Sequence, residues 1–173
     1  MNRNPSVHAS AVKVGERAVL IRGPSGSGKS RLAFDLILAG RAKQLPPAVL
    51  VGDDRVRLDT AGGELLVSTV PELAGLIEIR GLGIRRCDFV TEAVVALVID
   101  LAAGDAERLP PLDALQTSIS GVKIPRIPIG EGFSPLPLVV AALTTADGLP
   151  SLNDRLDCFK GIGNHIPSTL ATE

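Results

Sequence analysis

The chain alternates short apolar runs with stretches punctuated by glycine and proline, and the spacing within each run separates strand from helix. Ala18 to Arg22, AVLIR, is short and apolar enough for a buried strand. It feeds GPSGSGKS and then SRLAFDLILAG, where Leu32, Leu36 and Ala39, and Ala33 with Ile37, recur at helical spacing. Gly40 stands where that helix is expected to end. The polar, proline-terminated RAKQLPP leads to a second β-type run, Ala48 to Val51, which ends at GDD. Parallel pairing of this run with the first strand is expected. From Val56 to Val70 two extended stretches flank TAGG, predicting a hairpin and hence a mixed sheet.

EAVVALVIDL carries a continuous apolar run that fits a central strand. VKIPRIPI also alternates, but its prolines confine it to an edge or an extended loop. SPLPLVVAALTTADG predicts a helix starting near Pro137. Beyond Gly161 the chain has little to bury, so residues 161–173 are expected to form a mobile tail. Without an internal repeat or linker, residues 1–160 read as a single α/β domain, a size that fills one core.

Composition narrows the function. A formal net charge of −1, no Trp, no Tyr and four Phe leave neither a basic face nor stacking platforms, so nucleic acid is excluded as an expected partner. The first residues lack a cationic-then-apolar leader, and the apolar run AVVALVIDLAA is too short to span a bilayer, so a cytoplasmic location and no membrane partner are expected. Cys87 and Cys158 have neither CxxC spacing nor clustered histidines, and read as reduced thiols.

The most specific chemical signal is Gly23-Pro24-Ser25-Gly26-Ser27-Gly28-Lys29-Ser30, which fits the phosphate-loop pattern G-x-x-x-x-G-K-[ST]. Glycines let backbone N–H groups turn toward a phosphate, the helix start adds partial positive charge, Lys29 reaches the β- and γ-phosphates, and Ser30 offers a hydroxyl to Mg²⁺. A chance Gly/Ser turn would not also follow an apolar strand and open an amphipathic helix. Behind the second strand, Asp53 and Asp54 are adjacent and so point in different directions: one can lie near Mg²⁺ while the other meets an incoming hydroxyl. The plain alternative is a solvated acidic turn. In Ile77-Glu78-Ile79-Arg80-Gly81-Leu82-Gly83, alternation sends Glu78 and Arg80 to one side of an extended segment, with bare backbone beside them. That suits a metal ion or phosphate, against the plain reading of a solvated edge strand.

Together GPSGSGKS, GDDRV and IEIRGLGI, in this order, resemble the catalytic domain of bacterial HPr kinase/phosphorylase. The likeness runs from about His8 to LPLVVAAL. It implies a P-loop kinase core of the phosphoenolpyruvate-carboxykinase-like type, a mixed β-sheet with flanking helices. The implied activity is ATP-dependent phosphorylation of a serine on HPr, the phosphocarrier of the sugar phosphotransferase system, with pyrophosphate as an alternative donor and phosphorolysis as the reverse-type reaction. Carried over by position, Lys29 and Ser30 match the phosphate and Mg²⁺ ligands, Asp54 the acid/base, Asp53 a support for the metal or for Asp54, and Glu78 a Mg²⁺ ligand. His8 matches a partner of the phosphates or acids, and Arg108 in AERLPPL a stabiliser of the transferring phosphoryl group. The resemblance further implies a short form lacking the N-terminal domain of longer members, and a homo-oligomer, a hexamer in the longer proteins.

One departure matters chemically: KIPRIPIGEGF has Gly-Glu-Gly where the family commonly shows Gly-Arg-Asn, a run used in dephosphorylation, so weak or absent phosphorolysis is expected. The rival readings are a P-loop kinase acting on a small molecule and a nucleotide-sensing module without catalysis.

Overall fold

The computed structural model describes residues 5–146. The expected tail and Cys158 lie outside them. The described strands are β1 (Ser6–Val7), β2 (Ser10–Val14), β3 (Arg17–Arg22), β4 (Ala48–Gly52), β5 (Val56–Ala61), β6 (Glu64–Thr69), β7 (Leu76–Ile79), β8 (Gly83–Arg86), β9 (Glu92–Leu101), β10 (Gln116–Ile119) and β11 (Val122–Ile129). The α-helices are α1 (Lys29–Arg41) and α2 (Pro135–Thr144). Among these residues no helix is long and apolar enough to cross a membrane.

Seven strands of the nine-stranded main sheet follow the order β1-β5-β6-β9-β3-β2-β4, and the other two join as a branch, β11 on β9 and β10 on β11. β9 is central, as its unbroken apolar run predicts, and it divides its edge: Glu92–Val94 pair antiparallel with β6, while Val98–Leu101 pair parallel with β11. Its other edge pairs parallel with β3, with a register shift where Ala18 meets Val95 and Val19 meets Leu97. The shift changes which β9 side chains face which side, so Val95 and Val98 join one core cluster while Leu97 and Ile99 join the other.

α1 buries Leu32, Leu36 and Ala39 with Ala33 and Ile37, as its spacing predicts, and α2 adds Val139 and Leu143 to the same cluster. Both helices therefore cover one face. The second cluster contains no helical residue; it is built from strand residues, among them Leu20, Val51, Val56, Leu65 and Val67, with Ala9, because the curled sheet encloses its own second face.

Several expectations change. β4 does not pair with β3; β2 lies between them and is antiparallel to both. β4 still runs in the direction of β3, so the C-terminal ends of β3, β4, β9 and β11 share one edge. Gly40 does not end α1, which continues to Arg41; the left-handed residue is Lys43. Gly40 instead permits a close approach, since a Cβ there would meet the Ala48 nitrogen at 2.7 Å. β11 is bonded along its whole length rather than being a loop: β10 pairs with Val122–Pro125 and β9 with Arg126–Ile129, so each half has one ladder partner and its proline fits an unbonded position. α2 begins at Pro135 rather than Pro137, behind Ser134 in extended conformation and with proline in its first turn.

Residues 76–84 do not form one extended segment. The chain reverses over Arg80–Leu82, and β7 pairs with β8 as a separate hairpin, so Arg80 lies in the turn rather than beside Glu78 on a strand. The hairpin is tied at its base by the Cys87 N–H to the Gly75 carbonyl, and the Val90 N–H bonds the Leu50 carbonyl of β4, which brings the hairpin to the end of that strand. Burial and the neighbouring Asp88 push the free Cys87 thiol up, which disfavours the thiolate.

Candidate active site

β3 delivers the chain to its loop at Arg22, where Gly23 (φ 148°) makes the turn. A Cβ on Gly23 would stand 2.6 Å from Ser27 Oγ and 3.0 Å from Leu101, so only glycine lets the loop fold back on itself. Gly28 (φ 96°) then opens α1 with no side-chain cap and no acidic residue in the first turn. The first N–H groups of the helix are thereby left for an anion. Lys29 is buried and donates 2.9 Å hydrogen bonds to the carbonyls of Gly23 and Pro24. Burial lowers its pKa, while Asp54 and Asp53 pull the other way, which puts both carboxylates within electrostatic reach of the loop's ammonium group.

Asp53 and Asp54 follow β4 and separate sharply. Asp53 is 3% exposed, and its carboxylate accepts from the Ser10 hydroxyl at 2.6 Å and from the Glu78 N–H at 3.1 Å. It thus joins the start of β2 and the strand β7 of the hairpin to the end of β4. Asp54 is exposed and takes φ 63°, with the Arg55 N–H bonding the Asp53 carbonyl at 2.7 Å. A three-residue turn closed by such an i→i+2 hydrogen bond over a positive φ is the rarer, strained form of γ-turn. It turns the Asp54 carboxylate outward, where His8 Nε2 lies 3.3 Å from Oδ1. An inward carboxylate fixed by two donors and an outward one held beside an imidazole are chemically unlike, although they are neighbours in the chain.

A family model described as HPr Serine kinase C-terminal domain matches residues 1–147. The chain belongs to the HPr serine kinase C-terminal domain family. Among its relatives, HPr kinase/phosphorylase of Mycoplasma mycoides is 32% identical over 150 residues, a match covering 79% of this chain and 46% of the relative. HPr kinase/phosphorylase of Geobacillus thermodenitrificans is 36% identical over 135 residues, covering 72% and 41%. The chain spans about half the length of the curated relatives it matches. The solved Hpr(Ser) kinase/phosphatase from Coxiella burnetii superposes with a TM-score of 0.63 at 29% identity, over 79% of this chain and 91% of that one. The mixed α/β fold with its curled sheet and few helices is therefore that of a solved HPr kinase.

Within this family domain the structure brings Lys29, Asp53, Asp54 and His8 to one edge, and ties Glu78 there through its backbone. The Glu78 side chain is exposed, and Arg80 is exposed at the hairpin tip. Arg108 is exposed in the connection from β9 to β10 and makes no hydrogen bond or ion pair among the described residues. Among the described residues no three His, Cys, Asp or Glu side chains converge as a cation cage. The donors available, the Ser30 hydroxyl and carboxylates, are hard oxygens, and Mg²⁺ takes one or two of these together with water and substrate phosphates. The residues present fit that mode.

Sequence reasoning missed Ser10, a polar side chain buried to 0% exposure under Asp53. It also missed a charge network behind the loop. Arg22, the residue before Gly23, forks the Asp100 carboxylate at 2.7 and 2.8 Å, and Arg126 Nε donates to Asp100 as well. Arg126 then forks Asp105 at 2.6 and 2.9 Å and donates to the Ala114 carbonyl at 2.9 Å, anchoring the segment that carries Arg108. Burial alone would raise the Asp100 pKa, but the hydrogen bonds and charges of both arginines outweigh it and hold the carboxyl below its ordinary value. The signal was an aspartate closing the longest apolar run of the chain beside an arginine closing β3, a pairing visible only once the strands are known to be neighbours.

Proposed function

We propose that this domain transfers the γ-phosphoryl group of ATP to a serine of an HPr phosphocarrier. The supporting observation is the meeting of the phosphate loop, the divergent Asp53–Asp54 pair with His8, and the β7–β8 hairpin at one sheet edge. The loop N–H groups and Lys29 bind the phosphates; the ammonium group exchanges the carbonyls of Gly23 and Pro24 for phosphate oxygens. Mg²⁺ would be held by Ser30 with Glu78 or Asp53, and when bound it neutralises charge on the phosphates. Asp53, fixed by Ser10 and the Glu78 N–H, sets the position of Asp54. Asp54 accepts the proton of the serine hydroxyl as its oxygen bonds the γ-phosphorus and the bond from that phosphorus to the bridging oxygen of ADP breaks. His8 orients the Asp54 carboxylate. A serine hydroxyl is a weak nucleophile, so positioning and charge neutralisation supply most of the rate.

The test is incubation with ATP, Mg²⁺ and the cognate HPr, with the modified residue mapped by mass spectrometry. A single phosphoserine is expected; transfer only to a small molecule, or none, would overturn the reading. Phosphorolysis needs the phosphoserine to be recaptured, and Gly130-Glu131-Gly132 offers a carboxylate where the family commonly carries a guanidinium. Phospho-HPr with inorganic phosphate should therefore release little pyrophosphate, and rapid release would contradict this assignment.

A further inference from the structure

The loop that carries Lys29 has two flanks. Asp53, Asp54 and His8 stand on the side of β4, two strands from β3 in one direction. Two strands away in the other direction is β11, and between its end and the loop lies a cavity of about 290 Å³. This is at the small end of ligand pockets, roughly 300–1,000 Å³. Its lining includes the polar Ser25, Ser27 and Glu131 and the apolar Leu101, Ile129 and Phe133. Ser27 Oγ is buried without a hydrogen-bond partner, an orphan that a bound polar group would satisfy. Phe133 follows a turn in which its N–H bonds the Gly130 carbonyl; the residue is 72% exposed, and its ring packs beside Gly130 in the cavity lining. A bare aromatic face beside a few polar groups suits a flat heteroaromatic ring better than it suits water.

A triphosphate whose γ end meets Asp54 must lead its other end away from β4. We propose that the cavity receives the nucleoside of the phosphate donor, with the base stacked on Phe133 and the Ser27 hydroxyl bonded to the ribose or the adjoining phosphate. This rests on the phosphate-loop reading above and adds to it the place and means of nucleoside recognition. Because the cavity shares residues 24–27 with the loop, one bound molecule spans both.

The test separates base from phosphates. Wild type, Phe133→Ala and Phe133→Tyr are titrated calorimetrically with ATP and with inorganic tripolyphosphate, in Mg²⁺. Phe133→Ala should weaken ATP about tenfold, the scale of one base stacked on an aromatic ring, and leave tripolyphosphate within about twofold. Phe133→Tyr should keep wild-type affinity for both. If Phe133→Ala binds ATP as wild type does, weakens both ligands equally, or alters only the KM for HPr, the nucleoside assignment is overturned. If wild type binds tripolyphosphate as tightly as ATP, the assignment falls while the phosphate loop stands; if it binds neither, both fall.

Discussion

At the scale of single residues the site depends on one strained and one clamped aspartate. Asp54 at φ 63° costs about 1–3 kcal/mol relative to a relaxed conformation, and glycine would carry no such penalty. Asp54→Gly should therefore raise unfolding stability by about 1 kcal/mol, seen as a higher urea midpoint, while abolishing transfer. Loss of both stability and activity would show the turn to be unstrained. Ser10→Ala should lower stability by about 1–3 kcal/mol, because it leaves Oδ1 of a buried carboxylate without its donor. An unchanged denaturation midpoint would mean that the Asp53 clamp contributes nothing. The divergence of the two acids was legible in the sequence, since adjacent side chains of an extended chain alternate. The φ of Asp54 and the Ser10 contact were not, because both come from pairing across β2 and β4, whose partner strands are far apart in the chain.

At the scale of elements, local pattern succeeded where local physics decides and failed where neighbours decide. The α1 face, the β5–β6 hairpin and β9 follow from periodicity and turn residues alone. Gly40 was misread because a glycine near a helix end signals either a cap or a close approach, and only the position of β4 distinguishes them. Gly40→Val should thus cost about 1–3 kcal/mol by overpacking against the Ala48 backbone, measured by thermal or urea unfolding. A neutral result would mean that the close approach of Gly40 to Ala48 contributes nothing to stability. The charge network joining β3, β9 and β11 carries a pH signature. The Asp100 carboxyl is held below its ordinary value in the folded chain, so its contribution to stability is complete above the unfolded value of about 3.9 and disappears as pH falls through the folded one. Asp100→Asn should be less stable than wild type at neutral pH, and its Tm should fall less steeply on acidification below about pH 4. Parallel Tm–pH curves for the two proteins would remove Asp100 from the acid transition.

At the scale of the whole molecule, the curled sheet concentrates chemistry at one edge. β3, β4, β9 and β11 end together there, bringing the phosphate loop, the acid pair, the Asp100 network and the nucleoside cavity to a common rim. A mixed sheet was readable from one hairpin and one central strand. The insertion of β2 between β3 and β4 was not, since nothing in the apolar pattern of Ser10–Val14 names its partners. Family likeness supplied the roles given to Glu78 and Arg108, and the fold supplies their setting without a contact between their side chains and the acid pair. The central claim is that Asp54 acts on the acceptor hydroxyl rather than on the nucleotide. Its most direct test is a single-turnover measurement of phosphoryl transfer from ATP to HPr by Asp54→Asn, alongside that variant's Kd for MgATP. The account predicts a Kd within about twofold of wild type and a transfer rate lower by a factor of about 10²–10⁴, the range for loss of a general base. Transfer at the wild-type rate with nucleotide bound would contradict it.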